Sequence, residues 1–319
     1  MTRLPAAIAG RLRLPVIAAP MLHVSGPDLV IAAARAGVIG AFPTANTRST
    51  DELDAWLKRM AGELRGEGRT AAPYCPNLII RQPRMPEDLA CLIRNQVEMV
   101  ITSVGSPEPV LAPLHDIGAL VFADVGSLRH AEKAIAAGVD GLVLLTAGAG
   151  GQTGWLNPFA FVRAVRSMFD GPIVLAGGIA DGAALWAARV LGCDLAYMGT
   201  KFIATRESMA PAKYKQMLVD STLDDVLLTR AFTGLDTSML LPSILAAGLD
   251  PAKLNEQVSI PTAAEMYSPR STSANPRRWT EIWSAGHSVS GVRAIVSAAE
   301  LVTQTAAEFE RAREETARL

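Results

Sequence analysis

The sequence predicts an α/β chain folded as a (β/α)8 barrel of the TIM type, with an inserted, mostly helical second domain. Three observations point there. Short apolar, β-rich runs alternate with helix-like segments from residue 14 to residue 202. Gly37, Gly138 and Gly192 each close an apolar or alanine-rich helix just before the next strand, so one supersecondary unit repeats. The glycine turns that suit an anion come late, after the seventh and eighth strands, where barrels place a phosphate site.

The eight strands are expected at 14–21, 38–44, 72–78, 99–104, 120–125, 141–146, 173–176 and 195–198. Helices are expected at 28–36, 50–64, 127–137, 158–169 and 181–191, several opening on Ser, Thr, Asp or Pro. An open doubly wound sheet would alternate in the same way but carry a GxGxxG loop after its first strand. Here that strand runs into Ala19-Pro20-Met21-Leu22, which favours the closed barrel. After Phe202 the rhythm breaks. Residues 204–249 read as helices, 251–276 are rich in Pro and Ser, and 291–318 read as one long helix returning to the barrel. The expected organisation is a barrel of residues 1–202 plus a C-terminal helix within 286–319, with 203–285 as an inserted cap or substrate domain.

Composition bounds the function. The chain has 319 residues, 50% hydrophobic and 19% charged, with mean hydropathy +0.24, enough apolar material for a large core. Its 30 basic and 31 acidic residues lie in no long run of one sign, so no nucleic-acid footprint is expected. Cys75, Cys91 and Cys193 are scattered without a CxxC pair, and no HExxH or GxSxG motif occurs. A metal site, a disulfide framework and a serine hydrolase are therefore not expected. Residues 1–10 do not read as a signal peptide, and no apolar run approaches a membrane span, so a cytoplasmic protein is the expectation.

The candidate site residues follow from the strand ends. Ala176-Gly177-Gly178 and Met198-Gly199-Thr200 put glycines where a strand turns into a helix, so backbone N–H groups can approach an anion, with a helix N-terminus behind them. A glycine that merely ends a strand reads the same when taken alone. The loop Gly148-Ala149-Gly150-Gly151-Gln152-Thr153-Gly154 follows strand six; it is either a flexible connection or a backbone passing close to a flat ligand. Asn77 ends strand three and is either a turn residue or an amide that donates and accepts along the edge of a bound ring. Met21 and Pro20 offer an apolar wall or ordinary core. His23 is expected to reach toward the mouth and His287 to cap or line the pocket, while His115 and His130 are expected to be surface or packing residues.

These pieces resemble the nitronate monooxygenase family, once called 2-nitropropane dioxygenases. The match rests on Ala18-Ala19-Pro20-Met21, Asn77, Ala147-Gly148-Ala149-Gly150-Gly151, Val174-Leu175-Ala176-Gly177-Gly178-Ile179 and Tyr197-Met198-Gly199-Thr200-Lys201-Phe202, in family order. The resemblance implies an FMN-dependent barrel oxidising alkyl nitronates with O2. It implies a cofactor site drawn from Ala19, Pro20, Met21, Asn77, Asp124, Ala149, Gly150, Gly151, Gln152, Gly177, Gly178, Gly199 and Thr200, with Gln152 and His23 as catalytic candidates. Met21 and Asn77 would meet the sides of the flavin ring, Gly151 and Gln152 its reactive face, and Gly178, Gly199 and Thr200 the phosphate.

Two departures matter. Gln152 stands where family members that oxidise nitronates usually carry a histidine, and glutamine cannot act as a general base. Asp124 stands where some members carry lysine or histidine near the flavin. Related flavoproteins of this fold reduce quinones or reduce and dehydrogenate acyl thioesters, so an FMN-dependent reductase or dehydrogenase of a quinone, enone or acyl thioester is the alternative. NAD(P)H or quinone would then join O2 as possible co-substrates. A barrel that binds a phosphorylated ligand without redox chemistry is a third reading, and a homodimer is compatible with all three.

Overall fold

A computed structural model describes residues 2–65, 71–269 and 271–318. Eight parallel strands close into a barrel: β1 (Val16–Ala18), β2 (Ile39–Pro43), β3 (Tyr74–Ile79), β4 (Met99–Ser103), β5 (Leu120–Val125), β6 (Gly141–Leu145), β8 (Ile173–Ala176) and β9 (Leu195–Met198). The barrel closes where β1 pairs β9, Ile17 opposite Tyr197. The strand β7 (Gly151–Gln152) lies outside it.

Successive strand side chains point to opposite faces, and both faces here are covered. Ile17, Ile39, Cys75, Ile101, Phe122, Val143, Val174 and Leu195 fill the barrel interior. Their neighbours Val16, Ala18, Phe42, Val100, Val121, Leu142, Leu144 and Ile173 face the surrounding helices. Burial on both sides explains why these strands read as continuous apolar runs rather than alternating ones. Leu4 and Ile8, the latter in a short helix Ala6–Ala9, belong to the interior cluster. The Asp194 carboxylate, 1% exposed, accepts from the Arg3 N–H (2.7 Å), the Ile173 N–H (3.1 Å) and the Arg166 guanidinium (2.8 Å).

Helices follow each barrel strand, and the left-handed glycines Gly37, Gly138 and Gly192 end three of them at φ 90°, 95° and 113°. The eighth outer helix is C-terminal, Ala298–Thr316, capped by a reciprocal Ser297–Glu300 box. It lies against the helix Gly182–Leu191 so closely that a Cβ on Gly182 would stand 2.1 Å from the Phe309 nitrogen. Trp186 packs edge-on against Phe309 there. This helix begins at Ala298 rather than at 291, because the capping box sets its first turn.

Residues 204–249, expected as helices, contain two strands as well: β10 (Val226–Thr229) and β11 (Thr237–Leu240). They form a three-stranded antiparallel sheet in the order β10-β11-β7. The helices Ala212–Val219 and Leu241–Ala246 flank them. Leu240, Trp283, Tyr214 and Val24 share one apolar cluster, and Phe232, Met239, Ile244 and Ile282 another. No helix among the described residues is long and apolar enough to cross a membrane.

Candidate active site

A cavity of about 610 Å³ opens at the C-terminal ends of the barrel strands. Its floor is the uppermost inward layer of side chains, two residues beyond the apolar interior on each strand: Asn77 above Cys75, Ser103 above Ile101, Asp124 above Phe122, Tyr197 above Leu195. Four polar groups thus converge where the barrel ceases to be apolar. Ser103 Oγ donates to Asn77 Oδ1 at 3.1 Å. Asp124 Oδ1 and the Tyr197 hydroxyl are buried without a hydrogen-bond partner among the described residues. Burial raises the Asp124 carboxyl to about 7, and burial with the nearby Asp124 charge raises the Tyr197 phenol.

One wall is glycine. Gly177 and Gly178 hold φ 129° and 74°, a region L side chains rarely adopt. A Cβ on Gly177 would strike Thr146 Oγ1 at 2.5 Å, whereas one on Gly178 would enter open space. The N–H groups of Gly178 and Thr200 donate to no protein acceptor among the described residues. The expected helix terminus behind Gly177-Gly178 is a correction. That helix starts only at Gly182, where Asp181 caps the Ala184 N–H (2.8 Å) and Glu308 accepts from the Gly182 N–H (2.9 Å), so its positive end already faces two carboxylates. The donors on this wall come from the loop and from the turn at Gly199, where the short helix Thr200–Ile203 begins.

The opposite wall is the loop after β6. Its glycines mostly serve packing: a Cβ on Gly148 would stand 2.8 Å from His287 Nδ1, and one on Gly150 2.7 Å from the Gly286 nitrogen. Gly151, at φ 71°, alone has open space. The loop is not a loose connection, since Gly151 and Gln152 pair with Ser238 and Thr237. Ala19, Pro20 and Met21 line the near side. Above the cavity, Trp283 stacks on Tyr214 with ring centroids 4.9 Å apart, and the Tyr214 hydroxyl donates to the Ser284 carbonyl. Trp279 and Arg278 complete that side.

The structure brings Ala19, Pro20, Met21, Asn77, Asp124, Ala149, Gly150, Gly151, Gln152, Gly177, Gly178, Gly199 and Thr200 to this one cavity. His23 is the exception among the catalytic candidates. It is exposed and off the cavity lining, because its left-handed backbone (φ 60°) is tied by its N–H to Asn46 Oδ1 at 2.9 Å. His287 is likewise off the lining, packed on Gly148. His130, read as a surface or packing residue, is exposed and also borders the cavity. Arg278, Trp279, Trp283 and Tyr214 were not visible as site residues from their surroundings in sequence; the only local signal was a Trp-rich stretch in an otherwise aromatic-poor chain.

Fold and cavity together define a (β/α)8 barrel with a cavity at its strand C-termini, lined by glycines after the last two barrel strands. A sequence model of nitronate monooxygenase matches residues 84–308, and the chain belongs to that family. A nitronate monooxygenase of Paraburkholderia phytofirmans is 28% identical over 278 residues, covering 74% of this chain and 76% of that protein. A (3aS,4S,5R,7aS)-5-hydroxy-7a-methyl-1-oxo-octahydro-1H-indene-4-carboxyl-CoA dehydrogenase of Rhodococcus jostii is 29% identical over 226 residues, which cover 71% of this chain and only 62% of that relative's length. Among solved structures, nitroalkane oxidase from Streptomyces ansochromogenes superposes with TM-score 0.78 at 27% identity, covering 97% of this chain and 99% of that one. FabK from Thermotoga maritima reaches TM-score 0.81 at 23% identity over 99% and 98%, a likeness of fold.

Proposed function

We propose that the chain is an FMN-dependent oxidoreductase that oxidises alkyl nitronates with O2. The observation that carries this reading is the division of one cavity into a cradle with unpaired backbone N–H groups at Gly178 and Thr200 and a polar floor of Asn77, Ser103, Asp124 and Tyr197. That pairing suits a ligand with a phosphate at one end and a flat, hydrogen-bonding ring at the other. The orphaned Asp124 Oδ1 and Tyr197 hydroxyl fit a ring bearing both donors and acceptors.

In this assignment Gly178, Gly199 and Thr200 hold the phosphate, Met21 and Asn77 meet the ring sides, and Gly151 and Gln152 flank the reactive face. When bound, FMN supplies the electron exchange with substrate. The chain's own part is to position and to exclude water. Gln152, held by its ladder to Thr237, presents an amide that hydrogen-bonds a substrate oxygen. It takes no proton, which a nitronate does not require because it arrives deprotonated. Residues 203–285 act as the cap over the barrel of 1–202 and 286–319, and the pairing of β11 with β7 ties that cap to the loop after β6.

The second reading, an FMN-dependent reductase or dehydrogenase using NAD(P)H or a quinone, is favoured by Gln152 in place of a base and by the indene-carboxyl-CoA dehydrogenase among the relatives. Anaerobic mixing of the flavin-loaded protein with a nitronate, and separately with NADH, then following flavin absorbance, separates the two. Bleaching by nitronate supports the first; bleaching by NADH with none by nitronate removes it. A protein that holds no flavin at all sinks both.

A further inference from the structure

Arg278 is the one Lys or Arg on the lining of the cavity among the described residues. Its Nη1 donates to the Phe232 carbonyl at 2.7 Å. Its Nε is buried with no hydrogen-bond partner, and no carboxylate stands within 4.0 Å of its guanidinium among the described residues. The other acid at this level, Asp236, faces Arg230 instead. A partly desolvated guanidinium without a counter-ion is costly, and it gains from an anion that enters the cavity.

The backbone around it is also committed. Trp279 sits in the left-handed region at φ 69°, a conformation a bulky side chain rarely holds, and both Arg278 and Trp279 face the cavity. The segment that anchors Arg278 through Phe232 continues to Thr237, the ladder partner of Gln152. Arg278 and Gln152 are therefore mounted on one stretch of chain and border one space.

We propose that Arg278 binds a planar two-oxygen anion of the substrate, a nitronate or a carboxylate, beside Trp279 and Trp283. Nη1 is committed to the Phe232 carbonyl and Nε is closed off, so Nη2, which has no hydrogen-bond partner among the described residues, is the guanidinium group left to donate to such an anion. This rests on the reading of the cavity as the substrate site and adds a substrate class to it: small organic anions rather than neutral quinones or enones.

The test is calorimetric titration of the flavin-loaded protein with benzoate and with the isosteric neutral benzamide. Benzoate is expected to bind at least tenfold more tightly. Arg278→Met is expected to abolish that preference, and Arg278→Lys to keep part of it, having the charge but not the Phe232-anchored guanidinium. Equal binding of both probes by the native protein overturns the proposal without reliance on any variant, as does an undiminished preference in Arg278→Met. Steady-state kinetics then assign the anion. A raised KM for propyl-2-nitronate in Arg278→Met means that the nitronate head is held. A raised KM confined to a nitronate that also bears a carboxylate means that the carboxylate is held. No change for either overturns the assignment. Loss of all nitronate turnover in the native protein, with the benzoate preference intact, would refute the oxidase reading and leave the anion site standing.

Discussion

Gln152 and Thr237 face one another across an antiparallel ladder that joins the loop after the sixth barrel strand to the small sheet beside the cavity. The residue that replaces the expected histidine is thereby fixed by its backbone to the segment carrying the overlying wall. A side chain placed at 152 inherits that position.

Gln152→His is therefore expected to introduce a base without displacing the loop. A base positioned in this way contributes roughly 10²–10⁴-fold to proton abstraction. We expect kcat/KM for a neutral nitroalkane to rise at least about tenfold, with a smaller change for the preformed nitronate. Equal rates for the native and variant proteins, measured by oxygen uptake, would show that position 152 does not set the chemistry.

Gly178 has φ 74° and open space where a Cβ would stand. Gly178→Ala fills that space and imposes about 1–2 kcal/mol of left-handed strain. FMN is expected to bind at least about tenfold more weakly, 1.4 kcal/mol or more, while riboflavin, which lacks the phosphate, binds as before. Fluorescence titration with both flavins checks this, and a parallel loss for riboflavin would place the phosphate elsewhere.

Asp124 carries a carboxyl raised by burial from 3.8 to about 7. Between those values the folded chain holds a proton that the unfolded chain has released. Stability without ligand therefore falls as pH rises through that window, by on the order of a few kcal/mol. The neighbouring Cys75 thiol and Tyr197 phenol are pushed upward and stay protonated throughout. Asp124→Asn is expected to flatten this slope in urea unfolding between about pH 4 and about pH 7; an unchanged slope would mean that Asp124 is ionised in the folded protein.

Asp194 gathers the Arg3 and Ile173 N–H groups and the Arg166 guanidinium at 1% exposure. Asp194→Ala leaves the mostly buried Arg166 without its partner and should cost about 3–5 kcal/mol. Thermal unfolding should register it as a large fall in Tm with no change in ligand specificity.

Much of the barrel was legible because its signals are local. The strands at 120–125, 173–176 and 195–198 and the helix at 50–64 occur with the bounds read from apolar runs, caps and glycines. Strand ends strayed elsewhere, as with 14–21 against Val16–Ala18, since hydrophobicity continues past the last ladder bond. The strands β10 and β11 are not legible in the sequence, because a four-residue apolar run is as compatible with a helix as with a strand, and their third partner, β7, is far away in the chain. That His23 lies off the cavity is hidden for a related reason: proximity in sequence to a strand end does not reveal that Asn46 holds its backbone.

What the sequence determined by itself is the repeat and its polarity: eight strands ending in small or polar residues, glycines where the backbone must turn left-handed, and so a barrel whose candidate site is sought at the strand C-termini. These follow from preferences of single residues and of neighbours a few positions apart. Only the tertiary structure decided which glycines are open and which pack on other backbone, that the helix end near Gly177-Gly178 already meets Asp181 and Glu308, and that Arg278 borders the same cavity as Asp124. Those are contacts between groups distant in the chain, and burial and pairing of that kind exist only once the chain has closed on itself.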